Sequence, residues 1–424
     1  MSSWFVSAAP TGPNFAGVHR NFAQEAFYGP LVQEDTEWLC AGGFVTETQT
    51  FYATTEQGEL IMCQVIHSSV GVWYPSIQFT FRYVNPTTSK HVWKSTAVTN
   101  FTVGGAKLDK RSSKSDQFTI TVDPSKPNLY TIQGKYDDET QISLTYEALT
   151  PGWKLGAGPR GGMSYFGQLK PATTQPGTQP DLSGGADGYC VHRFWPRCAI
   201  KGILRLGTDV IQIEDARGTF IHAIQGMRPN VLASAWNFAN FQSPASGGEG
   251  VALTMMEFTS CPAYGPQKVN IGSIVVGDKL VAVVAGGDGI QGGSVALHYE
   301  AVNDVETGYD APGAIKYTWE GLTLSGEDDN LKPSASSNDI SSAEIDQKLL
   351  TSKPGEPYAT QGLVEKVDVL GQIPYLLKKF VNYAAGTKPY IYTWLNPVDA
   401  KVVTPGQGAK TVKGTLFSEA TFVS

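Results

Sequence analysis

The chain has 424 residues, of which 41% are hydrophobic and only 17% charged, and its formal net charge is −7. This length allows two to three domains that each bury a core. The acidic balance, without any cluster of Lys and Arg, argues against a nucleic-acid partner, because phosphate binding needs concentrated positive charge. Low charge together with 46 glycines, 25 prolines and 11% aromatic residues favours a β-rich protein.

The sequence also indicates a protein of the cytoplasm with no stable membrane anchor. No run approaches the roughly 18 consecutive apolar residues that a membrane span needs. Residues 1–17 lack a positively charged segment and contain Pro10 and Pro13, which is atypical of a signal peptide. The five cysteines are few and odd in number, so free thiols in a reducing compartment are expected in preference to disulfides.

The first half of the chain is a series of short strand-like runs between turn clusters. These runs are rich in β-branched and aromatic residues and are bounded by Gly, Pro, Asn or Asp. They cover residues 48–53, 59–68, 76–84, 117–122, 129–134 and 141–147. Residues 78–83 alternate polar and apolar side chains, as in a strand with one face in a core and one in water. This spacing predicts a β-sandwich or β-barrel.

A break in the strand pattern predicts a domain boundary. Residues 169–187 are rich in Pro, Gly and Thr, and such a segment cannot bury enough apolar area to order itself alone. We therefore predict an N-terminal domain over residues 1–180 and a C-terminal domain over residues 188–424.

The second half resumes the strand pattern over residues 200–322 and ends with a helical signal. Residues 325–361 are acidic and Ser-rich, which predicts a long surface excursion. Apolar residues then recur at helical spacing through residues 363–381, and Pro374 is expected to split or kink this run. We predict a late C-terminal helical segment that lies across the end of a β-barrel and is followed by two strands.

The sequence contains no convincing cofactor or metal motif. Gly287, Gly289 and Gly292 form a GxGxxG, but strand-like runs lie on both sides, so a Gly-rich hairpin is predicted in place of a dinucleotide site. The six histidines are scattered, and no CxxC, HExxH or GxSxG occurs. We therefore predict no metal and no cofactor.

Two parts of the sequence are unusual for an ordinary core. Residues 192–197 place two arginines beside Phe and Trp, and residues 222–229 and 235–242, continuing into 255–258, place Trp, Phe and Met beside amides and one carboxylate. Apolar walls with a few polar groups are typical of a ligand cavity. They are equally typical of a barrel core with a satisfied polar network. The chemistry of these residues leaves both interpretations open.

The same segments resemble the central signature of the fungal Svf1-like (survival factor 1) family, and the resemblance extends from about residue 28 to the end of the chain. It rests on residues 192–197 with Lys201-Gly202, on 223–227, 236–238 and 240–242, and on blocks at 28–30, 46–52, 64–68, 78–81, 367–369, 373–374, 385–392 and 419–422. The resemblance implies an all-β protein of two lipocalin-like (calycin) β-barrel domains. It also implies a link to survival of oxidative stress and the handling of sphingolipids such as ceramide.

Two departures from the family pattern affect the expected cargo. Where the family carries a His-His pair and an Arg, residues 228–235 read Arg-Pro-Asn-Val-Leu-Ala-Ser-Ala. The amphipathic N-terminal helix with which family members contact membranes is not evident in residues 1–17. We therefore expect a scaffold of this family that holds a reactive small molecule in place of a membrane lipid.

The function expected from this resemblance is that of a cofactor-independent pericyclase of fungal secondary metabolism. It would be similar to hetero-Diels–Alderases that join a quinone-methide-type tropolone diene to an apolar sesquiterpene in a barrel pocket. Near-attack geometry can lower the barrier by up to about 7–11 kcal/mol, and an acid or donor would assist. The expected catalytic residues are Glu257, Lys201 and Arg193, and the expected substrate-binding residues are Trp195, Gln225, Trp236, Asn237, Phe238 and Met255.

The alternative function is a non-catalytic carrier of ceramide, another sphingolipid or another hydrophobic small molecule, linked to oxidative-stress survival. This role is closer to the main role of the family. In both cases the expected partners are hydrophobic small molecules, and the sequence leaves a homodimer open. Neighbouring genes for a polyketide synthase, a terpene cyclase and oxygenases would favour the enzyme.

Overall fold

The structure is a computed structural model, and it describes residues 14–71, 75–105, 108–167, 186–227, 229–246, 248–290, 293–372 and 388–423. In these ranges the chain is built almost wholly of antiparallel strands, as its composition predicts. The α-helices are single turns, α1 (Pro229–Leu232) and α2 (Val369–Gln372). Short 3-10 turns cover Val18–Arg20, Gln24–Ala26, Gln33–Thr36, Pro262–Tyr264 and Asp328–Asn330. None of the described helices is long enough to cross a bilayer.

Fifteen strands form one sheet, here called the N-terminal sheet. In chain order they are β1 (Phe15–Ala16), β2 (Tyr28–Pro30), β3 (Gly43–Thr54), β4 (Leu60–Gly71), β5 (Ser76–Asn85), β6 (Lys90–Ala97), β7 (Thr102–Gly105), β8 (Leu108–Lys114), β9 (Phe118–Asp123), β10 (Lys126–Lys135), β11 (Thr140–Ala148), β12 (Trp153–Leu155), β13 (Met163–Gly167), β14 (Ala186–Leu206) and β15 (Asp209–Gln225). The main path of the sheet is β6-β5-β4-β3-β15-β14-β11-β10-β9-β8-β7. The two longest strands therefore lie at its centre.

Ten strands form a second sheet, here called the C-terminal sheet, with the order β19-β18-β17-β16-β29-β28-β26-β23-β20 and with β27 beside β28. The strands of this half are β16 (Ala233–Gln242), β17 (Val251–Ser260), β18 (Lys268–Val276), β19 (Lys279–Gly287), β20 (Val295–Tyr299), β21 (Val302–Asp304), β22 (Tyr309–Ala311), β23 (Ala314–Leu322), β24 (Leu324–Ser325), β25 (Lys332–Pro333), β26 (Ile340–Lys348), β27 (Leu363–Asp368), β28 (Tyr390–Thr404) and β29 (Gly408–Phe422). The pairs β21–β22 and β24–β25 form two small separate ribbons.

Each sheet has its own aromatic core on its inward face. In the N-terminal sheet, Phe51, Trp195 and Phe220 pack together with ring centroids 4.8 to 5.2 Å apart. In the C-terminal sheet, Tyr392 stacks on Trp394 at 5.8 Å, and Trp319 belongs to the same core. Because strand side chains alternate between the two faces, every second residue of these strands points away from the core.

The change of sheet occurs after Gln225, and the predicted boundary at residues 181–187 precedes the two central strands of the N-terminal sheet. The hairpin β14–β15 turns at Gly207-Thr208, where Gly207 has a φ of 69°, and both strands pair with N-terminal strands. Most of the predicted linker, residues 168–185, lies outside the described residues. The chain enters that segment from β13 and leaves it into β14, and these two strands pair with each other.

The late helical pattern begins as a strand. Residues 363–368 form β27, which pairs with β28 over Leu363–Asp368, and helix follows only at Val369–Gln372. The helical spacing of apolar residues there was therefore misleading, since tertiary pairing with β28 overrides a local pattern. Pro374 and the rest of the predicted helix lie outside the described residues.

The GxGxxG segment joins two strands of one sheet. Gly287 ends β19, and β20 begins at Val295, so no helix opens behind the glycines at any residue that the structure describes. The two strands pair with different neighbours, β18 and β23, so the segment is not a simple hairpin. This geometry lacks the helix N-terminus that a dinucleotide phosphate needs.

The outward faces of the two sheets pack against each other through a third core. This core includes Tyr52, Ile221, Phe238 and Phe258. Arg197 of β14 connects the sheets at one end, since its Nε donates to Asp278 at 2.5 Å and its Nη1 donates to the Val251 carbonyl at 3.0 Å. The two halves are thus joined by both apolar burial and a buried guanidinium.

Candidate functional site

A cavity of about 380 Å³ lies between the outward faces of the two sheets, and we call it the inter-sheet cavity. Its apolar lining consists of Tyr52, Ile221, Ala223, Trp236, Phe238, Met256, Val369, Pro389, Ile391 and Val423. Its polar lining consists of Thr48, Thr50, Gln64, His192, Gln225, Glu419 and Thr421. The sequence led us to expect a pocket inside one barrel, but this cavity lies between the two sheets.

The alternation of strand side chains determines which residues reach the cavity. On β15, Ile221, Ala223 and Gln225 face it, whereas Phe220 and His222 face the interior of the N-terminal sheet. The same rule applies to the C-terminal sheet, where neighbouring residues of β16, β17 and β29 are divided between the cavity and the C-terminal core.

Aromatic rings from both sheets form the walls of the cavity. The ring of Tyr52 lies 5.3 Å from that of Phe238, across the boundary between the sheets. Trp236 lies 5.3 Å from Phe258, and its edge meets His192 at 6.3 Å. These spacings are those of favourable tilted and edge-on aromatic pairs. The walls are therefore built jointly by the two halves of the chain.

Burial shifts the pKa of three titratable groups of the cavity, His192, Tyr52 and Glu419, in the direction that favours the neutral side chain. Burial lowers the pKa of His192 to about 4, so its imidazole is uncharged at neutral pH. Burial raises the pKa of Glu419 to about 7, and Arg82 opposes this rise. A carboxyl group that titrates near neutrality can both donate and accept a proton in this cavity.

The other polar groups are hydroxyls and amides suited to hydrogen bonding. Gln64 donates from Nε2 to the Thr50 hydroxyl at 2.7 Å, which orients the amide carbonyl of Gln64. Gln225 and Thr421 are half-buried at the cavity surface. Apolar walls with a few convergent polar groups are the usual composition of a small-molecule site.

The structure brings three of the nine predicted site residues to the cavity: Gln225, Trp236 and Phe238. Trp195 instead belongs to the N-terminal core, where its ring lies 5.1 Å from Tyr130, and Met255 is fully buried in the C-terminal core. Both residues are immediate or near sequence neighbours of residues that do face the cavity. The alternation of strand faces divides the selected segments between the cavity and the two cores.

Glu257 and Asn237 lie in a closed polar network on the inward face of the C-terminal sheet. Glu257 accepts from Asn237 Nδ2 at 3.0 Å, from Asn270 Nδ2 at 2.8 Å and from the Ala296 amide at 3.1 Å. Asn237 Oδ1 is 2.7 Å from His298 Nε2. Because donors already occupy both carboxylate oxygens, Glu257 is held as an acceptor and does not face the inter-sheet cavity.

Arg193 and Lys201 also lie away from the cavity. Arg193 is buried on the inward face of the N-terminal sheet, where its Nη1 donates to the Asp35 carbonyl at 2.5 Å. Asp35 also binds Lys154 Nζ at 2.7 Å, so this is an internal ion cluster. The side chain of Lys201 is exposed on β14. Neither cation is placed to act on a molecule in the inter-sheet cavity.

Sequence reasoning did not select Tyr52, His192 or Glu419 as site residues. All three lie in the blocks that carry the family resemblance, but a single Glu within a terminal strand has no local signature of function. The two-residue period, applied from Gln225, would have selected Ala223 and Ile221 of the same strand. It does not reach Tyr52, His192 or Glu419, because these residues lie on other strands.

No group of three or more His, Cys, Asp or Glu within the described ranges has the arrangement of a metal site. All five cysteines are free, and four of them are buried.

Comparison with known proteins gives a consistent family and fold. The model of the Svf1 family matches residues 6–424. The ceramide-binding protein svf1 of Aspergillus fumigatus is 29% identical over 100% of this chain and 99% of its own length. The ceramide-binding protein SVF1 of Debaryomyces hansenii is 32% identical, covering 94% of this chain and 90% of its own.

Among solved structures, the crystal structure of CghA with Sch210972 aligns with a TM-score of 0.54 and 11% sequence identity, covering 97% of this chain and 98% of that one. At this identity the likeness shows a shared fold. The predicted all-β architecture of two lipocalin-like units is confirmed.

Proposed function

The chain belongs to the Svf1 family, and on that premise we propose that it binds a ceramide-like amphiphile in the inter-sheet cavity without converting it. The observation that carries this proposal is the composition and place of the cavity. Aromatic and aliphatic side chains of both sheets surround a small set of hydroxyl, amide and carboxyl groups. The amide and hydroxyl groups of a ceramide head can hydrogen-bond to these polar side chains, and its apolar chain can pack against the apolar walls.

The relatives support this proposal over their whole length. The two relatives described above are both ceramide-binding proteins, and each is matched over nine-tenths or more of its length. Such coverage means that both sheets, and hence both walls of the cavity, have counterparts in those proteins.

The volume of the cavity suggests which part of the lipid it holds. The cavity volume of about 380 Å³ lies within the range of small-molecule sites. Its polar groups lie on the same lining as its apolar walls, so a polar head and the adjoining part of an apolar chain can be bound together. We therefore expect the polar head to decide binding, with the chains extending beyond the described walls.

Native mass spectrometry with a short-chain ceramide tests the proposal. We expect a one-to-one complex and no change in the mass of the released lipid. Trp236→Ala should weaken binding by about 2 kcal/mol, because it removes a central aromatic wall. The matched control is Ile203→Ala, which removes an exposed apolar side chain of β14 that does not line the cavity. Equal ceramide binding by both variants would contradict the proposal.

A second candidate function, the cofactor-independent hetero-Diels–Alder reaction, is favoured by one specific observation. Glu419, with its pKa raised to about 7, faces the same cavity as Trp236 and Phe238. A protonated carboxyl at this position could assist loss of water from a quinone-methide precursor, and the aromatic walls could hold the diene against an alkene. In this candidate Glu419 takes the acid role that the sequence suggested for Glu257.

Incubation with a quinone-methide precursor and a sesquiterpene tests this second candidate. The enzyme should form adduct faster and with greater stereoselectivity than buffer, and Glu419→Gln should reduce the rate by about 10²-fold or more, as expected for loss of a general acid. Product that forms at the rate and with the selectivity of the buffer reaction would exclude it.

A further inference from the structure

Building on the proposed lipid binding, we propose that Glu419 selects the ligand by its head group. The cavity takes an amphiphile whose head carries O–H or N–H donors and no negative charge, and it rejects lipids with a phosphate or carboxylate head. Ceramide-like lipids and long-chain amines satisfy this rule, whereas free fatty acids and phosphorylated sphingolipids do not.

The position of Glu419 makes it the charged group that a head would meet. Its strand neighbours Ser418 and Ala420 are buried in the C-terminal sheet, so the Glu419 side chain points outward with Thr421. It is the only Asp, Glu, Lys or Arg among the described lining residues. No described residue donates a hydrogen bond to its carboxyl group.

Arg82, whose positive charge acts on Glu419, already donates hydrogen bonds to other residues. Arg82 donates from Nη2 to Glu365 at 2.6 Å and from Nη1 to the Thr393 hydroxyl at 3.4 Å, and its guanidinium lies 4.7 Å from the Trp93 ring centre. The Glu365 carboxylate balances its charge. Arg82 therefore acts on Glu419 through its charge, which Glu365 offsets, and it is not among the described residues that line the cavity.

The remaining titratable groups around Glu419 do not supply a positive charge either. His192 is neutral at neutral pH because burial lowers its pKa to about 4. Tyr52 stays protonated because burial, and then Glu419, raises its pKa. An anionic head would therefore face a carboxylate with no cation among the described lining residues, and like charges repel more strongly in a cavity than in bulk water.

A head group that carries O–H or N–H donors is attracted by Glu419, whereas an anionic head is repelled. An unpaired buried carboxyl group is costly, and a ligand O–H or N–H that reaches it satisfies its lone pairs. Gln64 and Gln225 can supply further amide contacts to the same head. The single unpartnered carboxyl thus converts a general apolar cavity into one that discriminates between heads.

Competitive binding of a short-chain ceramide and its 1-phosphate at pH 8 tests this inference, since the two ligands share their chains and differ by the anionic phosphate of the head. The wild-type protein should bind the ceramide at least ten-fold more tightly, which corresponds to about 1.4 kcal/mol. Glu419→Gln should reduce this ratio several-fold by strengthening phosphate binding. Glu147→Gln, on an exposed position of β11, is the matched control and should leave the ratio unchanged.

A second variant, Thr421→Lys, keeps the test informative if Glu419→Gln does not fold. Thr421→Lys places a cation on the same face of β29 as Glu419, and it should also shift the ratio towards the phosphate. Far-UV circular dichroism and thermal unfolding establish that each variant is folded. A ratio that stays at its wild-type value in both folded variants would overturn the inference.

The outcomes separate this inference from the function on which it rests. If ceramide and its phosphate bind the wild type equally and Trp236→Ala weakens both, the cavity is a lipid site and head selection by Glu419 is wrong. If neither ligand binds the wild type, the proposed lipid-binding function is itself wrong, and head selection falls with it.

Discussion

Replacing Glu419 by Gln is expected to stabilise the fold above neutral pH and to have little effect in acid. Burial raises the pKa of Glu419 from its ordinary value of 4.5 to about 7. Between these values the folded chain retains a proton that the unfolded chain has released, so the stability of the wild type falls as pH rises through this window. Because each pKa unit is worth about 1.4 kcal/mol, the full penalty is about 3 kcal/mol.

Urea unfolding followed by tryptophan fluorescence measures this effect at pH 4 and pH 8. The free energy of unfolding of Glu419→Gln should exceed that of the wild type by about 3 kcal/mol at pH 8 and by close to zero at pH 4. Glu147→Gln, at an exposed site, is the control and should match the wild type at both pH values. An advantage of Glu419→Gln that is the same at both pH values would refute the reasoning.

Three further predictions follow from the packing. Arg197→Ala should lower the free energy of unfolding by about 3 kcal/mol in denaturant titrations, since it removes the buried guanidinium that joins the sheets, together with its hydrogen bonds to the buried Gln242 side chain and Ser243 carbonyl. Glu257→Gln should cost about 1–3 kcal/mol of stability, because it turns an acceptor into a donor facing Asn270, yet ceramide affinity by fluorescence titration should stay at its wild-type value. Trp195→Leu should destabilise the N-terminal core by about 2–4 kcal/mol without changing that affinity, and a loss of binding in the folded variant would place Trp195 in the site after all.

The series of short strands was predictable from the sequence, because strand and turn patterns depend on residues that are close together in the chain. Residues 78–83 lie within β5 as their alternation indicates, and the composition correctly pointed to an all-β fold. The polar face of this strand is not in water, however, because Thr80 and Arg82 are buried. The sheet to which each strand belongs could not be predicted in the same way, because it depends on pairing between distant segments. A Pro- and Gly-rich segment such as 169–187 reads in the same way whether it links domains or loops out of a hairpin, and only the pairing of β13 with β14 distinguishes the two.

The candidate site shows a related limit of sequence reasoning. Trp236 and Phe238 were selected as apolar walls, and both line the cavity. Asn237 lies between them in sequence and Glu257 was selected as the one carboxylate of these segments, but the two residues pair with each other on the opposite face. Glu419 could not be selected, since its significance arises from an environment that distant strands create around it.

Filling the inter-sheet cavity tests most directly whether it is the ligand site. Ala223→Phe adds a ring to a half-buried lining position of β15, whereas Ala199→Phe adds the same ring to a half-buried position of β14 that does not line the cavity. Titration of both folded variants with a short-chain ceramide should show that Ala223→Phe no longer binds it and that Ala199→Phe binds it as the wild type does. Wild-type affinity in Ala223→Phe would contradict the assignment of the cavity.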